Sequence, residues 1–262
     1  MSSYDMLRKQ GYTGKIIVLI DDEDEQREQY ESRYEFVEVF SKDKYSGTFD
    51  EVVLNNKSSV VFARNACYDI AAKYCLDYFI EIDDDIMSLK HRYIEDGKAR
   101  GSDVNDLDTF FSSVFPLFEN ENIFSISFVK NTDFMGGVNS KGFKKGFEYI
   151  ANSIFCLKTD RRVNFTSTIF EDLNTSLTYN NVGKIIISLA VLQFYPKEVG
   201  SDDMTGGSAD LYNKFSSFAR SFSVLLSRPD SVKIASDKKA GYRVQISWKS
   251  VAPMIISERW KK

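Results

Sequence analysis

The sequence has one histidine, three cysteines and four prolines among its 262 residues, and these scarcities exclude several kinds of site. A single histidine, His91, rules out a metal site built from three histidines and leaves only one base for a Ser-His-Asp triad. Three cysteines with no close pairing predict reduced thiols rather than a disulfide or metal framework. The patterns GxGxxG and GxxxxGKS/T are absent, which excludes the dinucleotide-binding and P-loop classes.

Long apolar runs are missing as well. No run reaches the roughly 18 apolar residues that suggest a membrane span. The first ten residues, MSSYDMLRKQ, lack the apolar stretch of a secretory signal, so we expect a cytoplasmic protein. No linker rich in Pro, Gly or Ser divides the chain and no repeat occurs, so residues 1–262 are predicted to form one domain.

Charge is divided unevenly along the chain. Residues 1–120 carry 14 Lys+Arg and 25 Asp+Glu, a net −11, whereas residues 121–262 carry 20 Lys+Arg and 13 Asp+Glu, a net +7. Such an asymmetry predicts an acidic half that binds a metal and a basic half that meets an anion such as nucleic acid. Solvated surfaces without a ligand are the alternative explanation.

Apolar runs and segments with helical spacing alternate along most of the chain. Strands are predicted at 16–20, 36–40, 52–54, 77–82, 123–129, 154–157 and 185–194, and helices at 22–33, 63–75 and 105–118. A long glycine-containing loop at 132–146, a late helix at 208–226 and a hairpin at 232–248 complete the pattern. The alternation predicts an α/β fold, with a mostly parallel central sheet flanked by helices, a C-terminal helix and a small β-hairpin.

Three consecutive carboxylates follow the apolar strand Phe79-Ile80-Glu81-Ile82. Residues two apart on extended backbone point the same way, so Asp83 and Asp85 could hold one cation while Asp84 turns aside. Mg²⁺ and Mn²⁺ prefer carboxylate oxygens and often share their site with phosphates. A solvated acidic turn or a helix cap is the alternative.

A second acidic pair, Glu171-Asp172, precedes a polar helical stretch. A carboxylate in a cleft can take a proton from an attacking hydroxyl. An acid in the first turn of a helix, which complements the helix dipole, is the alternative.

Three further segments are candidates for binding an anionic ligand. Arg64 and Asn65 begin a predicted helix, where backbone amides and an Arg side chain bind phosphate. Asp21 and Asp22 end the first predicted strand, where they could contact a base or a ribose. The glycine pair in 205–208 could let backbone amides approach an anion. A surface Arg with an Asn cap, and helix capping by the two acids, are the alternatives.

These motifs, in this order over about residues 15–195, resemble those of the GT-A glycosyltransferases. The Ala63-Arg64-Asn65, Asp83-Asp84-Asp85-Ile86 and FEDLNTSL segments look more narrowly like the TET-associated and related bacteriophage DNA glycosyltransferases, which decorate hydroxymethylated pyrimidines. The resemblance implies a single GT-A-like domain, with a donor-nucleotide and metal half at about 1–120 and an acceptor half at about 121–262.

The resemblance also implies roles for the candidate residues. Asp83 and Asp85 would hold Mn²⁺ or Mg²⁺ against the diphosphate of a nucleotide sugar, UDP-glucose in the first instance. Asp172 would be the base, with Glu171 beside it. Donor contacts would come from Asp21, Asp22, Arg64, Asn65 and Asp84. Many GT-A enzymes complete the metal site with a C-terminal His, which this sequence lacks, so water, Asp202 or Asp203 would substitute.

The acceptor implied by the resemblance is a hydroxymethylated or already glucosylated pyrimidine in phage DNA, modified in the host cytoplasm. Basic residues that precede the proposed base would contact DNA phosphates: Lys141, Lys144, Lys145, Arg161 and Arg162. A flipped base could stack on Phe134, Phe143 or Phe147, although core or loop packing is the favoured explanation for these rings. A glycan, lipid or small-molecule acceptor is the alternative within the class, and a non-catalytic nucleic-acid-binding protein is the alternative outside it.

Overall fold

The computed structural model describes residues 1–46, 59–120, 122–197, 215–237 and 241–251. Its helices are α1 Ser2–Lys9, α2 Arg27–Arg33, α3 Lys42–Tyr45, α4 Val61–Lys73, α5 Leu107–Val114, α6 Lys141–Lys145, α7 Glu171–Asn181, α8 Ser217–Ser227 and α9 Trp248–Val251. Its strands are β1 Val18–Asp21, β2 Val37–Phe40, β3 Tyr78–Ile82, β4 Ile86–Glu95, β5 Lys98–Asp103, β6 Ile123–Lys130, β7 Phe147–Glu148, β8 Ile154–Lys158, β9 Ile185–Pro196, β10 Val232–Asp237 and β11 Gly241–Ile246.

A seven-stranded sheet in the order β3-β8-β6-β9-β4-β5, with β7 also paired to β9, forms the centre. The predicted α/β class, with a central sheet flanked by helices, is confirmed. The predicted parallel majority is wrong, because among the described residues β6 and β9 are parallel whereas the other strand pairs of this sheet are antiparallel.

The antiparallel character arises partly from a hairpin that the sequence analysis missed. Strands β4 and β5 pair from Lys90↔Asp103 to Glu95↔Lys98, which leaves a two-residue turn. Both turn residues, Asp96 and Gly97, have positive φ (49° and 69°). Asp-Gly is the sequence expected for such a turn, so a usable signal was present.

The first predicted strand lies outside the central sheet. Strand β1 pairs in parallel with β2 from Val18↔Val37 to Asp21↔Phe40 as a separate two-stranded sheet. Val18 and Ile20 are buried, whereas alternate residues of β1 are only partly buried. The apolar run therefore forms a strand, although Leu19 and Asp21 are only partly buried.

Most other predicted elements are confirmed with shifted ends. Helix α4 and β3 lie where predicted, and the predicted helix at 105–118 is α5 followed by a 3-10 turn at Phe115–Glu119. The predicted loop at 132–146 instead forms short helical turns, Asn131–Phe134 and Gly137–Asn139, followed by α6. The late helix and the hairpin are α8 and β10–β11, whereas the strand at 52–54 and the start of the helix at 208–214 lie outside the described residues.

The central sheet is covered on both faces. Strand β8 shows this directly, because Ile154 and Cys156 join a core with α1 and α5, whereas Phe155 and Leu157 join a second core with α4. Successive strand residues point to opposite faces, so helices must cover both sides of the sheet. No helix in the described part of the chain is both long and apolar enough to cross a membrane.

Candidate active-site cleft

A cleft of about 1340 Å³ opens between α1, β1, α4, the carboxyl end of β3 and the first turn of α7. Its walls include polar side chains from distant parts of the sequence: Asp21, Asp24, Lys42, Arg64, Glu81, Asp83, Asp84, Asp85, Glu171 and Asp172. The fold thus brings the strand-end acids and the Glu171-Asp172 pair into one space, although about 90 residues separate them in sequence.

The acid loop, Asp83-Asp84-Asp85, is fixed through its backbone. Its amide and carbonyl groups bond to three distant segments: Asp83 N donates to Ser153 O (2.8 Å), Ser3 Oγ donates to Asp83 O, Ser3 N donates to Asp84 O (3.2 Å), and Lys197 N donates to Asp85 O (2.7 Å). Ser3 Oγ also accepts from Ile86 N at 2.9 Å. These bonds hold the loop in place and leave the carboxylates to interact with other groups.

The three carboxylates of the acid loop have different surroundings. Asp84 is exposed, whereas Asp83 and Asp85 are partly buried. Burial raises the pKa of Asp85, and the neighbouring charges of Asp83 and Asp84 raise it further. A carboxylate whose charged form is disfavoured in this way gains from a nearby cation.

The acid loop fits a cation that also binds a substrate. Mg²⁺ is commonly held by one or two carboxylates together with substrate phosphates, and Asp83 and Asp85 can supply such a pair. Within the described ranges no group of three or more His, Cys, Asp or Glu side chains is arranged to hold a metal ion. A cation at the acid loop would therefore need ligands beyond these described side chains, and its sharing with a diphosphate stays a prediction.

Arg64 lies at the centre of the wall. It sits in the first turn of α4, and its guanidinium bonds three carboxylates: Glu81 (2.6 Å), Asp83 (3.0 Å) and Glu171 (3.2 Å). Its side chain is 4% exposed, and its Cζ lies 4.5 Å from the centroid of the Phe155 ring. Strand β3, the acid loop and α7 are therefore joined through one cation.

This placement differs from the sequence-based hypothesis for Arg64 and Asn65. The helix begins at Val61, two residues before the predicted start, and both residues are buried. The guanidinium meets carboxylates rather than an open phosphate site. Asn65 is 1% exposed, and its amide donates to Phe165 O and accepts from Phe165 N. The Asn65 side chain thus fixes the segment around residue 165, and a donor contact for Asn65 stays a prediction.

The Glu171-Asp172 pair begins α7 and faces the cleft. Phe170, immediately before it, has a left-handed backbone (φ 52°), which is uncommon for a bulky residue. Burial, together with the adjacent charge of Glu171, raises the pKa of Asp172 to about 7. Asp172 therefore combines a position in the cleft with an affinity for protons suited to a base near neutral pH.

Asp21 and Asp22 lie at the carboxyl end of β1 and interact differently with Lys42. The Nζ of Lys42 is 2.9 Å from Asp21 Oδ1, and its backbone N donates to Asp22 Oδ1 at 3.3 Å. Asp21 and Lys42 line the cleft, whereas Asp22 is not among its lining residues. A donor contact for both acids stays a prediction.

Three residues that line the cleft were not predicted from the sequence: Glu81, Ser3 and Lys42. Glu81 alternates with Ile80 and Ile82 in a strand, and an acid inside such a run could have been recognised as a partner for a buried cation. Ser3 and Lys42 occur in polar segments with no distinguishing pattern. Their positions follow from tertiary packing alone.

The proposed basic surface is divided between two regions. Strand β8 runs antiparallel to β3, with Lys158 opposite Tyr78 and Ile154 opposite Ile82, so Arg161 and Arg162 follow the end of β8 remote from the acid loop. Arg161 donates to Asn120 O (2.8 Å), and Arg162 pairs with Asp69 (2.8 Å). These contacts bind both side chains to other parts of the protein, and their position at this end of β8 places them away from the acid loop.

The other members of that surface lie in the helical turns after β6. Lys141 pairs with Glu148 and lies 3.7 Å from Asp133. Lys144 and Lys145 are exposed at the end of α6. Phe134 and Phe143 pack against each other with centroids 4.9 Å apart. Asp202, Asp203 and the glycine pair of 205–208 lie outside the described residues.

In open α/β sheets, ligands bind outside the carboxyl ends of the strands, and this cleft lies at the carboxyl end of β3. The sequence model of the TET-Associated Glycosyltransferase family matches residues 1–207. Because the match covers more than half of the chain, the protein belongs to the TET-associated glycosyltransferase family. Comparisons with curated proteins and with solved structures gave no match.

The buried position of Arg64 generates a prediction about stability. Arg64→Met removes the charge and leaves Glu81, Asp83 and Glu171 without their shared partner. We expect the free energy of unfolding to fall by about 3–5 kcal/mol, the usual loss on breaking a buried ion pair. Urea denaturation at pH 7 measures it.

Arg27→Met is the control, because Arg27 pairs with Glu31 on the surface at 55% exposure. We expect a change of less than about 1 kcal/mol for it. Burial already raises the pKa of Glu81 against the opposing charge of Arg64. Without Arg64, the Glu81 carboxyl binds a proton more tightly in the folded state than in the unfolded chain. The difference in free energy of unfolding between the parent and Arg64→Met should therefore become smaller as pH falls from about 8 to about 5. Equal losses in both variants would contradict the proposed role of Arg64.

Proposed function

We propose that this protein transfers a hexose from a nucleotide sugar, with UDP-glucose as the first candidate, to a hydroxymethylated or already glucosylated pyrimidine in phage DNA. The observation that carries this proposal is the meeting of the acid loop and the Glu171-Asp172 pair in one cleft. The first provides anchors for a cation-bound diphosphate, and the second provides a base. Membership of the family supports glycosyl transfer as the reaction class.

In this mechanism the acceptor hydroxyl oxygen attacks the anomeric carbon of the donor sugar. The new carbon–oxygen bond forms as the bond to the diphosphate breaks, and the nucleoside diphosphate leaves with the bonding electrons. The hydroxyl proton passes to the carboxylate of Asp172. The raised pKa of Asp172 favours its acceptance of that proton. Attack by the acceptor opposite the leaving group inverts the anomeric centre.

Each nearby acid has a separate part in this proposal. Asp83 and Asp85 would hold Mn²⁺ or Mg²⁺, whose chemistry when bound is to neutralise negative charge on the departing diphosphate. Glu171 pairs with Arg64 and thereby holds the first turn of α7 against β3. Asp21, with Lys42 beside it, faces the same cleft and is proposed to contact the donor nucleoside. Asp84 is exposed beside the acid pair and is proposed to contact the donor.

The DNA acceptor is supported by the narrower sequence resemblance and by the basic second half of the chain. Lys144 and Lys145 remain candidates for phosphate contacts because both are exposed. Lys141 also remains a candidate for a phosphate contact, although Glu148 and Asp133 compete with phosphate for its ammonium group. Arg161 and Arg162 would reach only DNA that extends to the opposite end of β8. Salt-dependent contacts of this kind carry no sequence specificity.

The first experiment tests the acceptor. We expect UDP-glucose, tested with Mn²⁺, to label hydroxymethylated or glucosylated DNA and to leave plain DNA of the same sequence unlabelled. Mass spectrometry of the released nucleosides measures the added hexose. Labelling of a glycan or a small alcohol alone would move the acceptor outside DNA, whereas DNA binding without any donor turnover would favour a non-catalytic binding protein.

A second prediction concerns the cation. Asp85→Asn should lower turnover by a factor of at least about 100 while the free energy of unfolding stays unchanged or rises, because Asp85 has a raised pKa and forms no ion pair with the described residues. Calorimetric titration of Mn²⁺ with UDP should show weaker cation binding. Asp103→Asn, on exposed β5, is the matched control. Full activity of the parent chain in excess EDTA would refute the metal assignment.

A third prediction concerns the base. Asp172→Asn should lower the turnover number by about 100- to 10,000-fold and leave the affinity for UDP-glucose within about twofold. The parent rate should fall as pH drops through about 7, because Asp172 becomes protonated, and the variant should lose that dependence. Asp230→Asn is an exposed acidic control. Near-normal turnover in Asp172→Asn would contradict the role of Asp172 as the base. Glu171-Asp172 would then be only an acidic pair in the first turn of α7.

A further inference from the structure

Four non-glycine residues in the described part of the chain have a left-handed backbone. Two of them, Cys75 directly after α4 and Asp96 in the hairpin turn, occupy positions where this conformation is common. Phe170 (φ 52°, ψ 45°) is the bulkiest of the four and directly precedes the Glu171-Asp172 pair. Backbone strain of this kind collects at functional sites, and it persists only where the surrounding structure enforces it.

The conformation of Phe170 is unfavourable by itself. In a left-handed backbone the Cβ lies too close to the following carbonyl oxygen, and glycine avoids this crowding because it has no Cβ. A phenylalanine at this position therefore needs contacts that hold it there. Without those contacts, the backbone would turn to the right-handed or extended conformation that bulky residues prefer.

Hydrogen bonds from Asn174 fix the backbone around Phe170. The backbone N of Asn174 donates to Phe170 O at 2.9 Å, and its Nδ2 donates to Ile169 O at 3.0 Å. Asn174 is itself buried, and its Oδ1 accepts from Ser227 Oγ of α8 at 2.9 Å. One side chain therefore joins the chain that enters α7 to the neighbouring helix α8.

The ring of Phe170 lies at the boundary between the cleft and a separate small core. Phe170 is among the residues that line the cleft, and it also packs against this core. The core takes one buried residue from each of four elements: Leu177 of α7, Val224 of α8, Val232 of β10 and Val251 of α9. Three of these elements lie beyond residue 207, where the family match ends. The support for the ring thus comes largely from outside the matched part of the chain.

We propose that Phe170 is a positioning residue of the reaction: packing of its ring against the small core holds the left-handed backbone that directs Asp172 into the cleft. If the backbone at Phe170 relaxed, the first turn of α7 would shift relative to the acid loop and carry Asp172 away from the acceptor hydroxyl. A displacement of about 1 Å at a reacting group can lower a rate about 100-fold. This inference rests on the proposed role of Asp172 as the base.

Two substitutions at Phe170 separate the backbone conformation from the packing. Phe170→Ala removes the ring and keeps the Cβ, so the unfavourable conformation loses its support. We expect the turnover number to fall about 10- to 100-fold, while the KM for UDP-glucose stays within about twofold. Phe170→Gly removes the same ring and also the crowding, so the conformation persists and turnover should stay within about threefold of the parent. Initial rates of hexose transfer to hydroxymethylated DNA measure both variants.

A role in packing alone predicts a different order. Glycine buries less apolar surface than alanine and has more freedom in the unfolded chain, so a ring that only fills space would leave Phe170→Gly no better than Phe170→Ala. On the proposal, Phe170→Gly has the higher turnover and unfolds at the higher urea concentration. Parent-like turnover in Phe170→Ala, or a glycine variant no better than the alanine variant in turnover, would overturn the inference.

Leu225→Ala is the matched control for loss of packing. Leu225 packs against the same small core from α8 and is not among the residues that line the cleft. We expect this variant to unfold at a lower urea concentration than the parent and to keep the parent turnover. A loss of turnover in Leu225→Ala as large as that in Phe170→Ala would attribute the effect to the core in general and overturn the role of Phe170.

Asp172→Asn separates failure of this inference from failure of the proposed function. Because Phe170 acts through Asp172, Phe170→Ala/Asp172→Asn should be no slower than Asp172→Asn alone, and a further tenfold loss would overturn the inference. If Asp172→Asn is impaired while Phe170→Ala turns over like the parent, only this inference fails. If Asp172→Asn keeps near-normal turnover, the proposed base fails and the inference fails with it. If the parent transfers no hexose, the order of the urea midpoints still decides: a glycine variant less stable than the alanine variant would overturn the inference.

Discussion

The buried guanidinium of Arg64 is the constraint on which the cleft depends. It meets one carboxylate on β3, one at the start of the acid loop and one on the first turn of α7. Removing a guanidinium from water is costly, and the cost is offset only when its donors are bonded to charged acceptors in good geometry. The side chain therefore specifies a single arrangement of three elements that are distant in sequence. Phe155 and Phe165, which flank the guanidinium, exclude water from this contact and strengthen it.

One cation does not balance the acids that surround it. Glu81, Asp83 and Glu171 already exceed the charge of Arg64, and Asp85 and Asp172 add to the excess nearby. The raised pKa values of Asp85 and Asp172 are consequences of this excess and of burial. An anionic diphosphate would be repelled by such a cleft unless a cation accompanied it. On the proposed function, therefore, the same acids that require a metal also select the metal-bound form of the donor. The raised pKa of Asp172 means that its carboxylate accepts a proton readily.

The sequence was most informative where local pattern and tertiary packing agree. Strand β3 and helix α4 were located because an apolar run and a helical period are local properties, and the acid loop was recognised by its position at the end of a strand. The direction of strand pairing was not predicted correctly, because apolar runs of this length are compatible with both parallel and antiparallel neighbours. The site shows the same division. The candidate acids were recognised from residue type and spacing, whereas the inward orientation of Arg64 depends on how α4 packs against β3 and α7.

Helix α7 connects the shared part of the fold with the part that lies beyond the family match. Its first turn is tied through Glu171 to Arg64, and its apolar side, from Leu173 to Leu177, packs against α8, β10 and α9. Ser227 of α8 also donates to Asn174 of α7 at 2.9 Å, so a polar bond fixes the position of one helix along the other. Because one helix contacts both regions, the position of α8 relative to the first turn of α7 is set by packing along that helix rather than by a linker.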